Sequence, residues 1–214
     1  MRKQPKQTRS IKTRKALTAA LESLLKEKDF DQISVAEIAS TACVSTGLLY
    51  SHFKNKADFL EALLETYKER IVKRLEEAES EDVSVEYRNA GSLREALRII
   101  SNYTYQQLQG DAHIIRALSQ HLRARPESEQ AEWQDLRTRA ALTLTAVLDV
   151  YSDDLARTDR QLTEKIFVYF FNSIFYEVIQ NRKLGNISVY DLPSEVFTVE
   201  IADIIYGYLT TSPM

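Results

Sequence analysis

Apolar residues recur at three- and four-residue intervals along most of this chain, the spacing of one face of an α-helix. Leu17, Leu21 and Leu24 mark a first helix from about Arg9 to Lys28. Two short helical segments follow between Ser34 and about Ser51, with a break at Thr41–Val44. Asn55 to Asp58 can cap a long fourth helix striped by Leu60, Leu63, Leu64, Tyr67, Ile71 and Leu75, which gives way to Glu76, Glu77 and Glu79. Ser80–Gly91 has no sustained stripe and is expected to be a loop. Ser92 and Glu95 form a capping box for a helix expected to end near Gly110, and a shorter helix is expected from Ala112 to about Ala124. Pro126 marks the next start, for a helix reaching Tyr151 through Leu136, Ala140, Leu144 and Val147. Thr158 to Gln161 cap an eighth helix that stops at Gly185, and a ninth runs from Pro193 to about Thr211. The expected fold class is all-α, with about nine helices.

The last two helices differ from the rest. Phe167 to Ile179 and Val196 to Leu209 are apolar or aromatic on almost every side. A helix of that kind has no free solvent face and is buried on two sides. Either it runs through the centre of a monomeric core, or one side packs at home and the other on a partner.

Residues 34–56 carry the most specific local signals. The Ser34 hydroxyl and the Glu37 carboxylate can each satisfy the other's free backbone N–H, while Val35, Ile38, Ala39 and Ala42 give that helix one apolar face. Ser45 is placed to cap the second helix, on which Leu49 and Phe53 fall four apart and can pack inward. Thr46, Gly47, Tyr50, Ser51 and His52 are left facing outward, with Lys54 and Lys56 just beyond. Small residues let the backbone approach a duplex, the helix start attracts phosphate, and the tyrosine, histidine and lysines offer hydrogen bonds and charge. Together these are the parts of a helix-turn-helix DNA reader, with Ser34, Ser45, Thr46, Gly47, Tyr50, Ser51, His52, Lys54 and Lys56 as candidate contacts.

These residues carry a resemblance. The run from Ser34 to Ala39, then Ala42 to Tyr50, then His52 to Lys56, resembles the signature of the TetR family of bacterial transcriptional regulators. It extends upstream through Thr13, Arg14, Ala20, Leu21, Leu24 and Phe30, and downstream to Phe59 and Leu60. One position departs from it: Cys43 stands in the turn where the family most often has Gly. If that position is left-handed, a Cβ there costs about 1–2 kcal/mol. A lone cysteine flanked by Ala42 and Val44 is expected to be a small, half-buried turn residue, with no redox role.

The resemblance implies a DNA-binding domain over 1–56 and a helical ligand-binding and dimerisation domain over 57–214. It implies a homodimer reading a palindromic double-stranded operator, most often as a repressor released by a small-molecule effector. The last two helices would then form a four-helix interface, with Phe167, Phe171, Ile174, Phe175, Val178, Phe197, Ile201, Ile205 and Tyr208 as its expected residues. An architectural DNA binder without small-molecule control is the alternative.

Charge agrees with this division. Residues 1–56 hold 11 Lys+Arg against 5 Asp+Glu, a net of +6, whereas the rest of the chain carries a net of −9. A basic head on an acidic body suits a phosphate-binding module on a solvated effector domain. Residues 1–21 hold no acid, and the first seven or so are expected to be a solvated tail or an arm that adds DNA contacts. Five Gly and four Pro in 214 residues favour long helices with short connections, and a single Cys fits a reducing cytoplasm. No signal-peptide pattern or membrane-length apolar run is present, so a soluble cytoplasmic protein is expected, with no membrane partner.

For the effector, polar or aromatic groups on otherwise apolar helices are the candidates: Tyr103, Gln107, Arg116, Trp133, Arg137, Tyr151, Asn172 and Tyr176. Asn172 leads, since an unpartnered amide within the most hydrophobic helix would cost about 1–3 kcal/mol. The aromatic weight suggests a flat or hydrophobic ligand. Three histidines, one of them in the reader, form no metal-ligand or catalytic motif with their neighbours, and neither catalysis, a metal nor a cofactor is expected.

Overall fold

A computed structural model describes residues 4–79, 86–123, 126, 131–181 and 192–212. Among them the secondary structure is helical, without strands. The helices are α1 (Gln4–Leu25), α2 (Val35–Thr41), α3 (Thr46–Tyr50), α4 (Ala57–Glu79), α5 (Leu93–Arg123), α6 (Ala131–Val150), α7 (Arg160–Asn181) and α8 (Ser194–Thr210), with 3-10 turns at Phe30–Gln32 and Ser152–Asp154. The end expected for the eighth sequence helix at Gly185, and most of the expected Ser80–Gly91 loop, lie outside the described residues.

The chain divides into two compact units, residues 1–70 with 113–125, and residues 71–112 with 126–214. The boundary expected at 56/57 thus falls inside the first unit, which also takes the C-terminal part of α5. Its core gathers Leu17, Leu21 and Leu25 of α1 with Ile38, Leu49, Phe53 and the buried face of α4. Phe53 and Phe59 stack with centroids 3.9 Å apart, and Arg14 lies over the Phe53 ring. The second unit is built on Leu93, Ala96 and Leu97 of α5, Val147 and Leu148 of α6, and the inward stripes of α7 and α8.

Two sequence expectations change. α1 begins at Gln4, so the helix expected from about Arg9 starts within the segment expected to be tail. The helices expected to part at Gly110 are a single 31-residue helix, α5. A mid-helix glycine costs about 1 kcal/mol relative to alanine. Here it is outweighed by buried Ala112, Ile114 and Leu118 beyond it and by the pairing of buried Asp111 with Arg74.

Candidate nucleic-acid interface

The reader is positioned by its caps. Ser34 Oγ accepts the Glu37 N–H at 3.2 Å, and Glu37 Oε2 accepts the Ser34 N–H at 2.8 Å. Lys28 Nζ donates to the other Glu37 oxygen at 2.5 Å, tying α2 to the segment after α1. The Lys28 bond, and after it the Ser34 bonds, hold the Glu37 carboxyl down at about 2, and the same pairing pushes Lys28 up.

α2 ends in a Schellman motif: Val44 N–H reaches the Ala39 carbonyl and Cys43 N–H the Ser40 carbonyl, each at 3.0 Å. Cys43 fills its left-handed position at φ 55°, so the turn keeps the geometry of a glycine turn without the glycine. The cysteine is exposed rather than half-buried, because Ala42 and Val44 take the inward positions beside it. Ser45 Oγ then accepts the Leu48 N–H at 3.2 Å and starts α3.

α3 turns Leu49 inward and leaves Thr46, Gly47, Tyr50 and Ser51 exposed, as expected. Tyr50 is 56% exposed, while His52 is half-buried. Leu48 is also outward at 43%, a position the sequence pattern could not separate from Leu49. A methyl-bearing side chain there can meet a thymine methyl in the major groove. Ser34 and Ser45 spend their hydroxyls on caps, and Ser51 Oγ donates to the Leu48 carbonyl. The two lysines part company. Lys54 is exposed, but Lys56 is half-buried, its ammonium donating to the Asp31 carbonyl at 3.2 Å and lying 4.5 Å from the Phe30 ring centre.

The effector candidates are not gathered at one place. Arg116 belongs to the first unit, the other seven to the second. Tyr103, Arg137, Asn172 and Tyr176 are exposed, Gln107 and Trp133 are half-buried, and the Tyr151 hydroxyl donates to the Tyr87 carbonyl at 2.8 Å. Asn172 therefore carries no desolvation cost in this chain, which removes the argument that put it first. Most of the aromatic weight of the last helices is internal packing. Phe167, Phe171 and Phe175 form a ladder along α7, and Phe175 meets Phe197 edge-on at 5.9 Å.

The expected interface residues are also displaced. Phe167, Phe171, Phe175, Ile201 and Ile205 are buried in the core of their own unit, and Ile174, Phe197 and Tyr208 pack against it. The Val178 side chain lies outside the described residues. The first five have almost no surface left to offer a partner, whereas Ile174, Phe197 and Tyr208 keep part of theirs. The outward stripes are Leu162, Ile166, Tyr169, Phe170 and Tyr176 on α7, and Val196, Val199 and Ile204 on α8.

Sequence reasoning missed a cleft in the first unit of about 520 Å³, lined by Lys28, Phe30 and Asp31 beyond α1 and by His113, Arg116 and His121 on α5. His121 Nε2 lies 2.6 Å from Glu61 Oε1. Glu22 accepts both Arg70 bonds, at 3.0 and 3.1 Å, and stands 3.5 Å from His113. The His113 contact, with Arg70, draws the Glu22 carboxyl below its ordinary range against the opposing effect of burial. Among the described residues no group of three His, Cys, Asp or Glu is placed to hold a metal ion. No described helix is long and apolar enough to cross a membrane.

No curated protein sequence matches the chain. The sequence model of the family described as "Bacterial regulatory proteins, tetR family" matches residues 17–63. Solved structures share the fold over most of both chains. The transcriptional regulator FadR from Bacillus subtilis, in complex with stearoyl-CoA, is 20% identical, covers 89% of this chain and 96% of its own, and gives a TM-score of 0.59. A protein from Mesorhizobium loti described as a TetR-family transcriptional regulator is 16% identical, with 94% and 96% covered and a TM-score of 0.62. NalD of Pseudomonas aeruginosa, described as the secondary repressor of the MexAB-OprM multidrug efflux pump, is 20% identical, with 94% and 98% covered and a TM-score of 0.51. The doubly capped reader lies inside the matched residues, so residues 17–63 resemble the N-terminal region of the TetR family of bacterial regulators, and the fold is shared with these structures along the chain.

Proposed function

We propose that the protein represses transcription by binding a palindromic operator as a homodimer, and that a small molecule releases it. The observation that carries the DNA part is the α2–α3 pair. Caps at Ser34 and Ser45 and the turn at Cys43 hold Thr46, Gly47, Leu48, Tyr50 and Ser51 outward on one short helix, with exposed Lys54 behind them. Those groups suit base edges and phosphate, respectively.

The outward apolar stripes of α7 and α8 support the dimer. Tyr169 is 72% exposed and Ile204 52%, on helices whose other faces are already buried. Gly207 lies on the outward side of α8, where an added Cβ would meet nothing within 4 Å. Nothing among the described residues requires a glycine there, whereas a second helix approaching closely would. Repression and effector control have their support in relatives of the same fold, one of them a repressor and one solved with stearoyl-CoA.

Selection from a random duplex library tests the reading. The expected product is a palindrome whose half-sites lie about 34–36 Å apart, one turn of duplex, or a multiple of it. Its affinity should fall steeply with salt, by about 0.9 log units per phosphate neutralised for each tenfold rise. Recovery of no sequence, or of isolated half-sites, would overturn it.

A further inference from the structure

The cleft of the first unit has the size of a small-molecule site, its 520 Å³ falling within the roughly 300–1,000 Å³ usual for such pockets. Leu25 and Leu60 give it apolar contact, and its polar lining is of both signs, with the cations of Lys28 and Arg116 and the carboxylates of Asp29 and Asp31. His113 is 7% exposed, its Nε2 closed to solvent and facing Glu22 Oε1 at 3.5 Å, so its ring walls the cleft without offering that nitrogen. Arg116 follows one turn later on α5, with a planar guanidinium suited to a carboxylate. Asp29 and Asp31, in the same lining, suit a hydrogen-bond donor elsewhere on the same molecule.

The wall of the cleft is also wired to the reader. Lys28 holds Glu37, and Glu37 caps α2. Phe30 and Asp31 hold Lys56, one residue before α4. An anion that draws Lys28 inward competes directly with Glu37.

We propose that this cleft binds a small hydroxy- or amino-carboxylate, its acid group between Arg116 and Lys28, and that occupation weakens DNA reading by taking Lys28 from Glu37. Only the second half rests on the proposed operator binding. The probes are citrate and L-glutamate at millimolar concentration, with glycerol as the uncharged control, titrated calorimetrically into the full chain. Saturable binding of at least one carboxylate and none of glycerol is expected. It should be lost in Arg116→Gln and in Ala117→Trp, which fills the cleft, in proteins whose circular dichroism and melting match the wild type. No carboxylate binding, or binding that persists in a folded Ala117→Trp protein, overturns the site.

With a selected duplex, the bound carboxylate should lower wild-type affinity by roughly 5- to 150-fold, the usual range of such coupling, and have no effect on the Ala117→Trp protein. Carboxylate binding that leaves duplex affinity unchanged overturns the transmission. Failure to select any duplex instead counts against operator binding, and the calorimetric result stands by itself.

Discussion

The partition of α7 and α8 into an inward and an outward stripe is tested by two substitutions that differ in what they should break. Phe171 is 1% exposed, midway along the aromatic ladder, and Ile204 is 52% exposed on the outer side of α8. Phe171→Ala removes a fully packed ring and should cost about 3–5 kcal/mol of protomer stability. That is a large share of the roughly 5–15 kcal/mol available to a folded protein. Ile204→Lys should leave the protomer nearly untouched, because half of that side chain faces water in the single chain. In a twofold dimer the exposed half is covered once on each protomer. Full burial of an isoleucine stabilises by roughly 1.5–3 kcal/mol, so covering half contributes about 1 kcal/mol per protomer and about 2 kcal/mol per dimer. The dimer dissociation constant should therefore rise by about 30-fold, and further for the cost of covering a cation. Sedimentation equilibrium reads the second effect. Urea unfolding over a series of protein concentrations reads the first, since a loss in the protomer persists at every concentration and a loss of assembly does not. If Ile204→Lys destabilises the protein as much as Phe171→Ala and leaves association unchanged, the two faces have been assigned the wrong way round.

Three further outcomes follow from the reader. Lys54→Ala should weaken binding to all duplexes alike and reduce the salt slope by about one unit, whereas Lys56→Ala should act first on melting temperature, because its ammonium holds Asp31 and Phe30; equal slope changes in both would contradict the distinction. Cys43→Gly should stabilise the protein by up to about 1 kcal/mol, the relief of a left-handed Cβ less the added freedom of the unfolded chain, and a loss in urea unfolding would show the turn is not strained. Glu37→Gln keeps the capping geometry and removes the charge that Lys28 meets. Since the folded Glu37 carboxyl is held down at about 2 against 4.5, its contribution is present above pH 4.5 and lost as pH falls toward 2. The stability gap between wild type and variant should close across that window, and a gap that stays constant with pH would show that the ion pair contributes nothing.

Contacts within a few residues of one another were legible in the sequence, and those closed by the fold were not. Ser34 with Glu37, Ser45 with Leu48, and Asn55 with Asp58 are each three apart, so their bonds follow from the pattern as soon as a helix forms. At Gly110 the local signal pointed to a helix end, and burial of residues on a neighbouring turn overrode it. Lys56 looked like a free cation because its partners, Phe30 and Asp31, lie some 25 residues upstream. On α7, a sequence apolar on every side holds no mark of which stripe meets its own core. Phe171 and Tyr169 differ by two positions, yet one is 1% exposed and the other 72%.

The cleft lies furthest from local reasoning, since Lys28 and Arg116 come to line one cavity only because the C-terminal part of α5 belongs to the first unit. Its separation from the reader in sequence, and its contact with it through Lys28 and Asp31, have one physical consequence. The residues that recognise DNA depend on caps formed within α2 and α3, while the residues that would sense a ligand depend on the placement of α5. Lys28 is where the two meet, since its ammonium is shared between the cleft and the Glu37 cap. Replacing it by methionine keeps the apolar stem and removes the charge. By this argument the change should lower the stability of α2 and also abolish the response of DNA binding to a carboxylate. A Lys28→Met protein that still releases its duplex on adding the carboxylate would place the coupling elsewhere, whatever the cleft is found to bind.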